Sequence, residues 1–212
     1  MAKNILVFAP HMDDDVIGMG GTLLKYVKEK HNIIEIIFSK GEKTHPHFKE
    51  EVIVKIRKKE LQKVAKEIGI KKLIYFDLKD LNLKEELKNP EIFQKVKDLI
   101  NKYHPKKIFT VSNSETHPDH RALNNFVLEV VDSLETKYPI YTFNVWTTPR
   151  ITLGPMLYID ISKYFWKKIY LMKLHKSQWF SIYLQLIPVM FRAKYHGYKS
   201  KYKYAERFEK VR

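Results

Sequence analysis

The chain has 212 residues, 44% of them hydrophobic, and no cysteine, so it can build one sizeable core but no disulfide framework and no thiolate metal site. Its 39 Lys and Arg against 24 Asp and Glu give a formal net charge of +15. With 30% charged residues and Lys spread over helical faces, the excess reads as a solvated, heat-adapted surface, and no nucleic-acid partner is expected. The apolar start "NILVFAP" is too short for a signal peptide and is followed by acids, and a cysteine-free chain fits a cytoplasmic setting.

In chain order, "NILVFA" (4–9) predicts a strand and residues 16–30 a helix. "NIIEIIF" (32–38) is a second strand, followed by a polar loop holding "THPH" (44–47), where contact with a substrate rim is the second reading. A helix over 48–68 carries Val52, Ile56, Leu61, Val64 and Ile68 at steps of three to five. "KLIYF" (72–76), a helix over 90–103, "KIFTV" (107–111) and a helix over 118–135 follow. "IYTFNVW" (140–146) and "LYIDI" (157–161) are the last predicted strands, after which the pattern turns helical and aromatic. Strand–helix alternation predicts an α/β fold: a Rossmann-like three-layer α/β/α with a mostly parallel sheet and a helical, aromatic-rich C-terminal region, forming one domain over 1–212.

In such sheets chemistry gathers beyond the carboxyl ends of the strands. "HMDDD" (11–15) follows the first strand and "SNSETHPDH" (112–120) the fourth, so two His/Asp-rich loops are expected on one sheet edge. One acid in a helix's first turn is ordinary capping; three beside a histidine exceed what capping needs and repel one another unless a cation is near. The "GMGG" after them has the wrong spacing for a dinucleotide loop, and Gly18, Gly20 and Gly21 read as close helix–sheet packing. Pro118 and Asp119 start a helix, but the two histidines flanking Pro-Asp add two imidazoles to that of His11. His11, Asp14 and His120 can supply two imidazoles and a carboxylate, the open three-ligand set of catalytic zinc, one ion per chain. Zinc brings the pKa of bound water to about 7; a further carboxylate can then act as general base and a further histidine can steady an oxyanion.

"PHMDDD" and "HPDH" together resemble the two motifs of the PIG-L/LmbE-like family of zinc-dependent de-N-acetylases. "SKGE" (39–42), "RKKE" (57–60), "FDLKD" (76–80), "LHKSQ" (174–178) and "YAERF" (204–208) are similar to its weaker stations, in the same order. The resemblance implies an N-deacetylase that releases acetate from a small N-acetylated amino sugar or glycoconjugate. It implies His11, Asp14 and His120 as metal ligands, Asp13 as general base, His117 as the group that stabilises the tetrahedral intermediate and protonates the departing amine, and Asp119 as its orienting partner. Arg57 and Asp80 match sugar-holding positions. Met12 and Asp15 depart from the family's Pro and Glu.

The basic, aromatic tail from "SKYFWKKIY" to "YKSKYKYAERF" reads as a helical subunit covering the crevice, with "YAERF" part of that cover. Two other surfaces fit the composition: an anionic membrane holding a lipid-linked sugar, and single-stranded nucleic acid. Self-association into a homo-oligomer is compatible with the sequence. The competing activities are a metal-dependent phosphoesterase, which needs more carboxylates across several strand ends, and a basic nucleic-acid-binding module.

Overall fold

The computed structural model describes residues 3–44, 49–146 and 154–212. Seven strands form one sheet: β1 (Asn4–Ala9), β2 (Asn32–Ser39), β3 (Lys72–Leu78), β4 (Lys107–Val111), β5 (Ile140–Phe143), β6 (Met156–Asp160) and β7 (Ala205–Lys210), in spatial order β3-β2-β1-β4-β5-β7-β6. The first five are mutually parallel, and β7 runs antiparallel to both its neighbours. Seven α-helices are described: α1 (Asp14–Lys28), α2 (Glu50–Ile68), α3 (Leu83–Glu86), α4 (Pro90–Tyr103), α5 (Pro118–Asp132), α6 (Phe165–Met172) and α7 (Trp179–Ser200).

Period-two alternation along β1 divides the core. Ile5 and Val7 join the cluster under α1, α6 and α7; Leu6 and Phe8 join the opposite cluster under α3, α4 and α5. Strand order reverses direction between β1 and β4, so the crevice of the sheet opens where those two neighbours end. Both motif loops leave the sheet there.

Two predicted elements are corrected. The strand read over 140–146 ends at Phe143, because Asn144, Val145 and Trp146 turn to the loop carboxylate Glu115 rather than to a neighbouring strand. "YAERF" is not cover: residues 205–210 are β7, inserted between β5 and β6. Its buried Ala205 and Phe208 belong to the core, while the charges around them hid a strand from any apolar-run reading.

The "GMGG" run breaks α1. Met19 has non-helical backbone (φ −142°, ψ 18°), and Glu206 of β7 accepts the N–H of Gly21 (3.0 Å) and of Thr22 (2.7 Å) at the restart. The buried Lys168 ammonium pairs with the same carboxylate at 2.7 Å. A Cβ on Gly18 would lie 2.2 Å from the Phe143 ring and one on Gly21 2.8 Å from Ile161, so these glycines allow the helix its close approach to the sheet, as the sequence predicts.

On α7 the buried His196 is held down to about pH 4 by burial and then by Arg207, Arg192 and Lys199. Its unfolded value is near 6.5, so between pH 6.5 and 4 the unfolded chain binds a proton that the folded chain refuses. Stability is therefore lost as pH falls through that window, by up to about 3 kcal/mol for this residue. Thermal melts from pH 7 to pH 4 are expected to show the drop, and His196→Gln to flatten part of it.

Candidate active site and metal centre

The end of β1 delivers Pro10, His11 and Met12 into the crevice, and α1 opens at Asp14. The end of β4 delivers the loop 112–116, and α5 opens at Pro118 with His117 as its N-cap. The three imidazoles converge: ring centroids are 5.4 Å apart for His11 and His120, and 4.9 Å for His117 with each of the others.

Asp14 is the hub. Its Oδ2 lies 3.0 Å from His11 Nδ1 and 3.2 Å from His120 Nε2, and it also accepts the His11 main-chain N–H at 3.0 Å. His120 is fully buried, and despite that proximity neither of its ring nitrogens makes a hydrogen bond of good geometry among the described residues. Donor atoms of His11, Asp14 and His120 all lie within 4.8 Å of one another. Ligands at about 2.1 Å around a tetrahedral ion sit about 3.4 Å apart, so separations of 3.0 and 3.2 Å to a common carboxylate oxygen are close to what a divalent metal needs.

Each of the two candidate ligand histidines has a carboxylate behind it. His11 Nε2 is 3.0 Å from Asp80 Oδ1 and 3.6 Å from Asp119 Oδ2; His120 Nδ1 is 3.7 Å from Glu115 Oε2. Such partners fix which nitrogen faces a metal. In the protein alone these acids also hold protons on the rings. Burial opposes the charge on His120, but Asp14 and then Glu115 outweigh it and raise the ring to about 9. His11 is raised well above its usual value against the same burial penalty. Burial also works against an ionised Asp14, but the two imidazoles hold it well below the usual carboxylate range. For Asp80, burial is overcome by His11, Arg57 and Ser39, and the group settles at about 2.

Asp13 faces the other wall, where Arg57 Nη2 donates to its Oδ1 at 3.2 Å. Arg57 is buried, and its Nη1 donates to the Gly41 carbonyl at 3.1 Å. Gly41 has φ +65°, and a Cβ there would meet Arg57 Nη1 at 2.0 Å. Only glycine allows both the left-handed backbone and the guanidinium's approach. The Gly41 N–H donates to Ser39 Oγ, which donates to Asp80 Oδ1, and Glu42 accepts the Asp80 N–H. "SKGE", Arg57 and Asp80 are thus one bracket gripping Asp13 and His11. A second tie joins "RKKE" to "LHKSQ", where Glu60 accepts the Ser177 N–H and hydroxyl.

The Asp119 carboxylate accepts the N–H groups of Leu81 (2.8 Å) and Leu83 (3.1 Å), anchoring the loop after β3. Its link to His117 is through the main chain: the Asp119 N–H donates to His117 Nδ1 at 3.2 Å. That bond leaves the ring hydrogen of neutral His117 on Nε2. Burial, followed by the neighbouring His11 and His120, pulls His117 below its usual value and favours that neutral form. Asp15 is fully buried beneath the site beside Glu35 of β2, and burial raises it to about 6. It therefore makes no direct contribution to the pocket wall. His45 and His47 lie outside the described residues.

His11, Asp13, Asp14, Arg57, Asp80 and His117 line one open pocket of about 260 Å³, whose rim is completed by Lys43, Leu81, Trp146, Gln178 and Ser181. Sequence reasoning did not single out Glu115, although it stands in the quoted loop. Its oxygens accept the N–H groups of Val145 and Trp146, and it backs His120. Its position five residues before His120 carried no sequence signal, since its role is set by main-chain hydrogen bonds.

Known proteins carry the same frame. At 25% identity over 185 residues, covering 83% of this chain and 81% of the relative, it is similar to a probable N-acetyl-alpha-D-glucosaminyl L-malate deacetylase 2 of Bacillus anthracis. At 25% identity over 224 residues, covering 96% and 81%, it is similar to the diacetylchitobiose deacetylase of Thermococcus kodakarensis. The structure of N,N'-diacetylchitobiose deacetylase from Pyrococcus horikoshii, complexed with its inhibitor MPG, superposes with a TM-score of 0.84 at 24% identity, covering 99% of this chain and 84% of that one. Residues 6–131, which hold both motif loops, match the PIG-L family model, and the chain belongs to this family of GlcNAc-PI de-N-acetylases.

Proposed function

We propose that the chain is a metal-dependent N-deacetylase that hydrolyses the acetamide of an N-acetylglucosamine-containing substrate, with zinc held by His11, Asp14 and His120. The observation that carries this reading is the buried three-donor cluster, with Asp13 on one side and the Nε2–H of His117 on the other. Family membership and deacetylase relatives along most of the chain support the reaction class. When bound, the metal supplies Lewis acidity, which activates water and polarises the amide carbonyl.

The remaining steps belong to the chain. Asp13, steadied by Arg57, takes a proton from the attacking water. His117 donates its Nε2–H to the carbonyl oxygen as negative charge builds there. Since neutral His117 has only that one hydrogen, Asp13 is the group that passes the water's proton on to the departing nitrogen. Acetate and the ammonium form of the amine result, the attacking water's second proton passing from the new carboxyl group to the amine. Arg57 and Asp80 act as positioning residues through Asp13 and His11, since Arg57 Nη2 donates to Asp13 and Asp80 Oδ1 meets His11 Nε2. Residues 1–212 work as one catalytic unit, and the cysteine-free composition supports a cytoplasmic setting.

Among the described residues the other three-donor group, His11, His117 and Asp119, shares His11 with the first, so two ions cannot each have a full set. This weighs against two-metal phosphoester chemistry. The test is acetate release from a panel of N-acetylated amino sugars by zinc-loaded protein. Turnover of at least one, abolished by chelation and restored by zinc, is expected. Acetate release that persists after complete metal removal would overturn the reading.

A further inference from the structure

Helix α7 is amphipathic the wrong way round. Its inward face is partly polar, with Gln185, Arg192 and His196 buried, while its outward face is apolar. Phe180, Ile187 and Phe191 are 64%, 78% and 67% exposed, and Trp179, Tyr183, Leu184 and Tyr198 join them along the same stripe. Exposed apolar side chains scattered singly are normal; a contiguous stripe along a helix marks a docking surface.

Charge selects the occupant. Residues 161–205 contain nine lysines and one arginine and not a single Asp or Glu. Lys173 and Lys176 are exposed just before the stripe, and Lys194, Lys199, Lys201 and Lys203 at its far end. A second copy of this chain would bring two such cationic faces together, which is repulsive. An anionic bilayer offers the opposite charge, a medium for the apolar side chains, and a headgroup zone that suits Trp and Tyr. No described helix is long and apolar enough to cross a membrane, so the contact is parallel to the surface.

We propose that α7 docks the protein on an anionic lipid surface, with Phe180, Leu184, Ile187 and Phe191 entering the headgroup boundary and the flanking lysines contacting lipid phosphates. The stripe begins at the pocket, since Gln178 and Ser181 line the metal site and Trp179 and Phe180 stand between them. Docking thus sets the mouth of the pocket beside the bilayer. The docking surface does not rest on the deacetylase reading.

The experiment is co-sedimentation of the full chain with vesicles of phosphatidylglycerol and phosphatidylcholine at 1:1, against phosphatidylcholine alone. Binding to the anionic vesicles that weakens with added salt is expected, with a blue-shifted tryptophan emission. Ile187→Asp/Phe191→Asp should lower the partition coefficient at least tenfold, and Lys194→Glu/Lys199→Glu should lower it on anionic vesicles only. Both variants are on exposed positions, so acetate release from a water-soluble substrate should match the parent. Loss of that release in every form would count against the activity proposed above, not against docking. Equal vesicle binding by parent and Ile187→Asp/Phe191→Asp would overturn the proposal. So would a parent that ignores both vesicles and sediments as an oligomer that the same variant dissociates, or one that binds single-stranded RNA instead.

Discussion

Asp13→Asn is expected to lower kcat by about 10²–10⁴-fold, the range for removing a positioned general base, with zinc content unchanged. The amide keeps an oxygen for the Arg57 Nη2 donor, so the wall of the pocket is preserved while the proton acceptor is lost. The proposed metal donors His11, Asp14 and His120 form a separate cluster that does not use Asp13. Activity and metal stoichiometry should therefore part company, with kcat collapsing and one ion per chain retained. Metal analysis beside steady-state kinetics reads both. A variant with parental kcat would remove Asp13 from the proton-transfer role, and one that loses its ion would show Asp13 to be part of the metal site.

The second large effect is structural. Glu206→Ala is expected to cost about 3–5 kcal/mol in urea unfolding, because it strands a buried ammonium. Lys168 and Glu206 have side chains only 3% and 5% exposed, and the carboxylate also serves two main-chain donors at the restart of α1. Lys168→Met should cost less, since Glu206 keeps the Gly21 and Thr22 N–H groups as partners. Lys168→Met/Glu206→Gln should be more stable than Glu206→Ala alone, because the stranded charge is gone and an acceptor remains for one N–H. Equal losses in all three would mean that the pair is not coupled.

The two motif loops were legible because each departs from what a helix start needs: three acids beside His11, and two imidazoles around Pro118–Asp119. Strand order followed from alternation, and with it the shared sheet edge. The supporting groups were hidden for a physical reason. Glu115, Ser39 and Glu42 act through main-chain hydrogen bonds that leave no spacing pattern. Arg57 was singled out only through family resemblance, and its hydrogen bonds to Asp13 and Gly41 join residues 44 and 16 positions apart, a relation that no local pattern encodes. β7 was missed because its sequence "AERFEK" has charges where a half-buried strand would be apolar, and one of them, Glu206, is tied down inside the fold.

The insertion of β7 has a consequence for assembly during synthesis. Both of its neighbours, β5 and β6, precede it in the chain, so a nascent polypeptide exposes two unsatisfied sheet edges until residue 210 is available. Contacts between Glu206 and α1 span more than 180 residues, which makes this closing step slow relative to the local βαβ units. The restart of the helix that begins at the candidate metal site is locked by the last strand to arrive, so the crevice at the sheet edge is among the final parts of the molecule to become rigid.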